Sequence, residues 1–416
     1  MIRAVSNITF SIKYSKIAVY VLSIAFCIGP LISLLQSFSL NRIIYELSIG
    51  QATNALFCLL LIVTIPLTTN TLSIKANLFI PIICFIYWIS ITIFYSISST
   101  DTIVYCFRVF YLLMIYLTTR ILSYLNLIDE AWFFRIGKIL LAIIIISQIY
   151  VYYSGGARTN LLDPRIAIAG TTFQTSRWGA YLVSIFPIFF LKKKLDGVDY
   201  FFIFLALISS IFTFRRSATI SLLFVMAFYA LQRNNLKIIK SKIKTIFIFI
   251  IIFIGAYYIT VKTPFADGFL LKLSDLNLGS GGTGSGRAIF WRITLYHLNE
   301  MSVIRLLIGD GVGALAKEMI TNYGGAIGAH NDWLDILISF GFIGLTFFSW
   351  IFLQICLIAF SLYQKKDMFS FASLAISISF LVISITTGGI LEPTFACLFG
   401  VLGFCAGKEL QYSDKC

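Results

Sequence analysis

WLDILISFGFIGLTFFSWIFLQICLIAFS, residues 333–361, carries one charged side chain, Asp335, and is otherwise apolar, hydroxyl-bearing or amide. A bilayer's hydrocarbon core is about 30 Å thick and takes about 20 apolar helical residues to cross. This stretch therefore predicts a membrane-spanning helix. Working outward from it, comparable apolar runs fall at 17–37, 55–72, 78–99, 103–124, 134–154, 179–191, 199–214, 217–232, 244–261, 368–388 and 391–407, which makes twelve candidate spans in all. Of the 416 residues, 59% are hydrophobic and only 12% charged, whereas a soluble domain is roughly a quarter charged. The expected fold is thus an all-α integral membrane protein of about twelve transmembrane helices, a single polytopic domain over 1–416. One long loop, 262–332, is expected to carry an amphipathic helix within 288–305 and the active-site elements.

The other compositional signals exclude more than they suggest. A formal charge of +14 is spread between apolar runs and forms no basic stripe with interleaved aromatics, so nucleic acid is not an expected partner. The cysteines at 27, 58, 84, 106, 356, 397, 405 and 416 show no CxxC or Cys/His clustering, which argues against a zinc site or a disulfide framework. Arg3, Lys13 and Lys16 precede the first apolar run as in a signal peptide, but the run is long and no small-residue cleavage site follows, so it reads as a retained helix.

Lys and Arg accumulate in short cytoplasmic loops, and here they alternate. Starting inside, the cytoplasmic side collects Lys75, then Arg120, Arg135 and Lys138, then Lys192–Lys194, then the basic positions of 233–244, then Lys365 and Lys366, then Lys408 and Lys415. Both termini are expected in the cytoplasm. Arg158, Arg165, Arg177, Arg215, Arg216, Arg287, Arg292 and Arg305 fall on the opposite side, where the rule does not put them. An anionic ligand is one reason for cations to be kept there.

Four stretches could carry chemistry. Arg215-Arg216, in FTFRRSATISLLF, lies at an outer boundary, where the pair either snorkels to water or binds phosphate through its guanidinium forks. GSGRAIFW, 284–291, sets flexible glycines and Arg287 before a helix, whose free N-terminal amides favour anions; it lacks the Gly-Lys-Ser/Thr of a nucleotide loop. The glycines of IGDGVGALAKE, 308–318, serve equally as plain turn residues, with Asp310 the distinctive group. His330, in GAHNDWLDIL, opens the quoted helix, with Asn331 or Asp332 available to cap it. It is either structural or a general base, since a neutral imidazole accepts a proton from a sugar hydroxyl. The remaining histidine, His297, reads as a surface residue of the amphipathic helix.

Taken in order, these residues resemble the bacterial O-antigen ligases and the O-antigen or exopolysaccharide polymerases, membrane enzymes of the lipid-dependent glycosyltransferase C type. The resemblance rests on His330-Asn331 with Leu334, Gly341 and Gly344, on GDGVG at 309–313, on GRAIFW at 286–291, on the Arg215 turn and on GTTFQTSRWGAYL at 170–182. The first 150 residues match only as generic helices. The resemblance implies an inverting transfer of a glycan from undecaprenyl diphosphate, without metal or cofactor, at the periplasmic face of the inner membrane. It assigns Arg215 and Arg287 to the donor pyrophosphate, with Arg216, Arg165 and Arg292 as auxiliaries, and His330 to the acceptor hydroxyl. The implied partners are the undecaprenyl-diphosphate-linked oligosaccharide, the bilayer and a chain-length regulator. GDGVG followed by AHNDWLDIL looks more like a polymerase than like a ligase, which would transfer finished polymer to lipid A-core. A transporter of such lipid-linked sugars is the competing class, but no internal repeat is visible and only Arg108 lies well inside a span.

Overall fold

The computed structural model describes residues 16–27, 78–153, 158–160, 163–167, 174–192, 195–213, 216–232, 287–315, 328–364, 369–386 and 388–413, and single positions within 56–61, 247–258 and at 319. Helix α1 is Lys16–Cys27. It is followed by α2 (Phe79–Thr92), α3 (Ser99–Tyr124), α4 (Glu130–Tyr153), α5 (Gln174–Ile185), α6 (Gly197–Phe212), α7 (Arg216–Gln232), α8 (Arg287–Glu300), α9 (Val303–Ile308), α10 (Asp332–Gln364), α11 (Ser370–Thr386) and α12 (Ala396–Ser413). Two short antiparallel strands, β1 (Arg158–Asn160) and β2 (Asp163–Ala167), interrupt this helical order. Apart from this hairpin the described elements are helical, as the sequence predicts.

Among the described residues, four helical stretches, Ser99–Tyr124, Glu130–Ile149, Asp332–Gln364 and Pro393–Gln411, are long and apolar enough to cross a membrane, and six shorter apolar helices accompany them. Along α10 the outward positions Phe342, Trp350, Leu353, Leu357 and Phe360 are exposed, while Phe348, Ile351, Ile355, Ile358 and Leu362 are buried. A helix with aliphatic and aromatic side chains on both faces suits a lipid surround on its outer side. These are the marks of a helical membrane protein. The expected runs at 55–72 and 244–261 lie outside the described residues except at single positions.

The centre of the bundle is the pair α3 and α12. A Cβ on Gly403 would stand 2.2 Å from Thr119 Oγ1, and one on Gly407 would stand 2.4 Å from the Arg120 carbonyl oxygen. The two glycines are four residues apart, on one face of α12, so the helices approach backbone to backbone. In lipid, where the hydrophobic effect between helices is absent, such close packing is the main attractive force. Ser123 Oγ donates to the Phe404 carbonyl at 2.9 Å, and Lys408 Nζ donates to Asn126 Oδ1 at 2.7 Å. The helices are therefore parallel.

Helix ends are capped by their own sequence. Ser98 Oγ accepts from the Asp101 amide at the start of α3, and Asp196 with Asp199 forms a reciprocal capping box on α6. Lys192 closes the second cap, 2.9 Å from the fully buried Asp199 carboxylate, and lies 4.6 Å over the Phe134 ring. Lys192 and the start of α4 thus share one end of the bundle with Asn126 and Lys408. The starts of α3, α10 and α12 gather at the other.

Candidate functional site

At that other end, His330, two residues before α10, sits in the left-handed region, φ 55°. Non-glycine residues seldom adopt it, so neighbours must hold it there. Three carboxyl or amide side chains do so. Asn331 Oδ1 accepts from the Trp333 and Leu334 amides at 3.0 and 3.2 Å, the helix cap that the sequence offers. Asp335 Oδ1 accepts from the Ala329 amide at 2.8 Å, reaching back to the residue before His330. Asp332, buried, accepts from the Gly389 and Ile390 amides at 2.5 and 3.0 Å, binding the start of α10 to the connection between α11 and α12.

The half-buried His330 ring lies 5.6 Å from that of Phe290, in the first turn of α8. Trp291, next along, donates from its indole Nε1 to the Ala329 carbonyl at 3.0 Å. These contacts dock the start of α8 against the His330 loop. Arg287 is the first residue of α8, three positions before Phe290 in the chain. Its backbone thus lies one helical turn from the Phe290 contact with His330. Arg292 lies on α8 and is exposed. Arg216 opens α7, and Arg165 belongs to β2. Arg215 lies outside the described residues.

The same end holds a charged pair that the sequence reading did not assign. Arg108 Nη1 of α3 stands 3.9 Å from Glu392 Oε1, both about a third or more exposed. Arg108 thus reaches from within its helix to the connection that Asp332 also grips. The pair links positions 108 and 392, and nothing in the local pattern of either signals it.

GDGVG, left open as plain turn residues, is built into α10. Gly341 has φ 67° and ψ −171°, a break inside the helix. The three carbonyls before it are taken up from outside the helix. Asp310 N donates to the Ile338 carbonyl at 2.8 Å, Gly311 N to that of Ser339 at 2.9 Å, and Trp88 Nε1 to that of Phe340 at 2.8 Å. A Cβ on Gly309 would stand 2.4 Å from the Ser339 carbonyl oxygen, so the segment fits only without side chains there.

His297 departs from its expected surface role. Its Nε2 is 3.2 Å from Asp310 Oδ2, with its side chain only 16% exposed. Arg305 Nε is 3.6 Å from the other oxygen of Asp310, and its guanidinium lies over the Tyr95 ring. The Tyr95 hydroxyl donates to the Ile308 carbonyl at 2.8 Å. For Arg305, an internal carboxylate supplies the reason to stay that the sequence reading sought in a ligand.

The assembled end brings together an imidazole just before a helix start, Arg108 of α3 and the start of α8, a set suited to an anionic substrate with a hydroxyl to activate. Among the described residues no group of three or more His, Cys, Asp or Glu side chains is placed to hold a metal ion. No protein-family model and no curated protein matches this chain.

Proposed function

We propose that this chain is a polysaccharide polymerase of the inner membrane, with about twelve spans and both termini cytoplasmic. It would transfer a growing glycan from undecaprenyl diphosphate to the next lipid-linked repeat unit at the periplasmic face. The observation that carries the proposal is the His330 loop: an imidazole held in a left-handed conformation by Asn331 and Asp335, packed against the helix that Arg287 begins. Holding a residue in a disfavoured conformation costs on the order of 1–3 kcal/mol, and such strain gathers at working sites.

In this mechanism a ring nitrogen of His330 takes the proton of the acceptor hydroxyl as its oxygen attacks the anomeric carbon of the donor. The bond from that carbon to the diphosphate oxygen breaks, with inversion, and undecaprenyl diphosphate leaves. Arg215 and Arg287 hold the pyrophosphate, and their attraction grows as charge develops on the leaving group. Arg216, Arg165 and Arg292 act as auxiliaries. A chain-length regulator is the expected protein partner.

The same grip and base would serve a ligase. Gel analysis of lipopolysaccharide from a strain lacking the gene separates the two. Core bearing a single repeat supports the polymerase; bare core with lipid-linked polymer accumulating supports the ligase. An unchanged ladder, or full polymer from a His330→Ala protein present at normal abundance, removes the transferase reading altogether. Within it, Arg287→Lys should keep only part of the activity, because ammonium lacks the planar two-point fork.

A further inference from the structure

Helix α9 is VIRLLI, residues 303–308, and all of its residues but Arg305 are aliphatic. None of them is buried: Val303 is 76% exposed and Ile304 68%. Water would not leave such a segment in place, since each of these side chains gains roughly 1.5–3 kcal/mol from full burial. Yet α9 is firmly held. Ser302 caps its start, Tyr95 donates to the Ile308 carbonyl, and Gly309 runs directly into the break of α10. The Tyr95 turn adds two more apolar side chains to the surface, Phe94, 91% exposed, and Ile97.

The height of this surface in the bundle follows from α10. From Gly341 onward, residues 342–364 run for about 34 Å at about 1.5 Å each, which matches a hydrocarbon core of about 30 Å. Its first residue beyond the break, Phe342, is exposed and continues into the outward apolar row of α10. Helix α9 therefore meets α10 where the membrane-crossing part begins, in continuity with its lipid-facing surface. The same stretch holds Arg305, 44% exposed, turned toward Asp310 and Tyr95. Aliphatic side chains beside an arginine at the membrane boundary match acyl chains below and phosphate groups above.

We propose that Val303–Ile308, together with Phe94 and Ile97, lies in the lipid of the leaflet on the His330 side and anchors the loop segment there, with Arg305 at the level of the phosphates. The occupant is bilayer lipid. Through Asp310 and the Gly341 break, this anchor fixes the height of the α8 and α10 starts relative to the bilayer. The inference rests on α10 crossing the membrane and does not depend on the transferase chemistry.

The test places a benzophenone amino acid, p-benzoyl-phenylalanine, at 304 in the full chain, and at the exposed position 299 of α8 as the control. Each protein is reconstituted in bilayers of phosphatidylethanolamine and phosphatidylglycerol, irradiated and weighed by mass spectrometry. A gain of one phospholipid mass at 304 that is lost at 299 is the expected result. No lipid adduct at 304, equal adducts at both positions, or a covalent pair of protein chains would each overturn the anchor, the last by making the surface a protein interface. If the 304 protein does not elute as folded material, the same label at 303 gives the answer.

Discussion

Replacing Gly341 by Ala tests the joint on which this end of the molecule depends. At φ 67° and ψ −171° the backbone occupies a region essentially reserved for glycine, and an L residue there costs on the order of 1–3 kcal/mol. The added Cβ would also stand 2.2 Å from the Leu307 carbonyl oxygen and 2.6 Å from the Gly309 nitrogen. Both are backbone atoms, so no side chain can rotate away, and overpacking of this kind adds roughly 1–3 kcal/mol. If 309–311 shifts to make room, the bonds from Asp310 N and Gly311 N to α10 weaken, each worth about 1 kcal/mol. The expected loss is therefore about 2–6 kcal/mol, read as a lower thermal unfolding midpoint in detergent by tryptophan fluorescence. Gly197→Ala is the matched control, because a Cβ there meets nothing within 4 Å and the residue begins α6. It should be neutral or stabilise by up to about 1 kcal/mol. A Gly341→Ala protein as stable as the Gly197→Ala protein would refute the reasoning.

Asp335→Ala removes the acceptor of the Ala329 amide, so activity should fall while overall stability drops by only about 1–3 kcal/mol; stability loss without any change in activity would show that the carboxylate does not position His330. Gly403→Leu should force α3 and α12 apart and abolish the monodisperse peak in size-exclusion chromatography, whereas Gly255→Ala, facing only the Phe204 ring edge at 3.7 Å, should leave it intact. Lys192→Met leaves the buried Asp199 carboxylate without its cation and should cost about 1–3 kcal/mol near neutral pH. Burial works against the Lys192 ammonium, but the bonds to Asp199 and Asp196 prevail and raise its pKa, so its contribution is complete below about pH 10.4 and is lost as pH rises beyond the folded value. The Asp199 amide and Lys192 hold the Asp196 carboxyl below its ordinary value, so that contribution is complete above about pH 3.9 and is lost on acidification. The stability difference between wild type and Lys192→Met, measured from pH 4 to 10, should be level across that window; a difference that grew steadily through it would contradict the assignment.

Composition and the apolar runs alone determined that this chain is a helical membrane protein, because a bilayer demands a minimum apolar length that no local accident supplies. They also marked the start of α10, since an Asn cap acts on amides two and three residues ahead and is therefore written locally. The pairing of Arg108 with Glu392, the grip of Asp332 on Gly389 and Ile390, and the docking of Asp310 and Gly311 into the Gly341 break were not legible. Each joins positions far apart in the chain, and their spacing follows no helical or strand period. His297 was misread for the same reason: its place on α8 looks like surface until Asp310 arrives from the next segment. Even the close approach of α3 and α12 was hidden, because Gly403 and Gly407 announce a close contact without naming its partner. Local sequence set which elements form and how they begin; tertiary structure decided which side chains meet, because that depends on the packing of helices whose order in space the one-dimensional pattern does not encode.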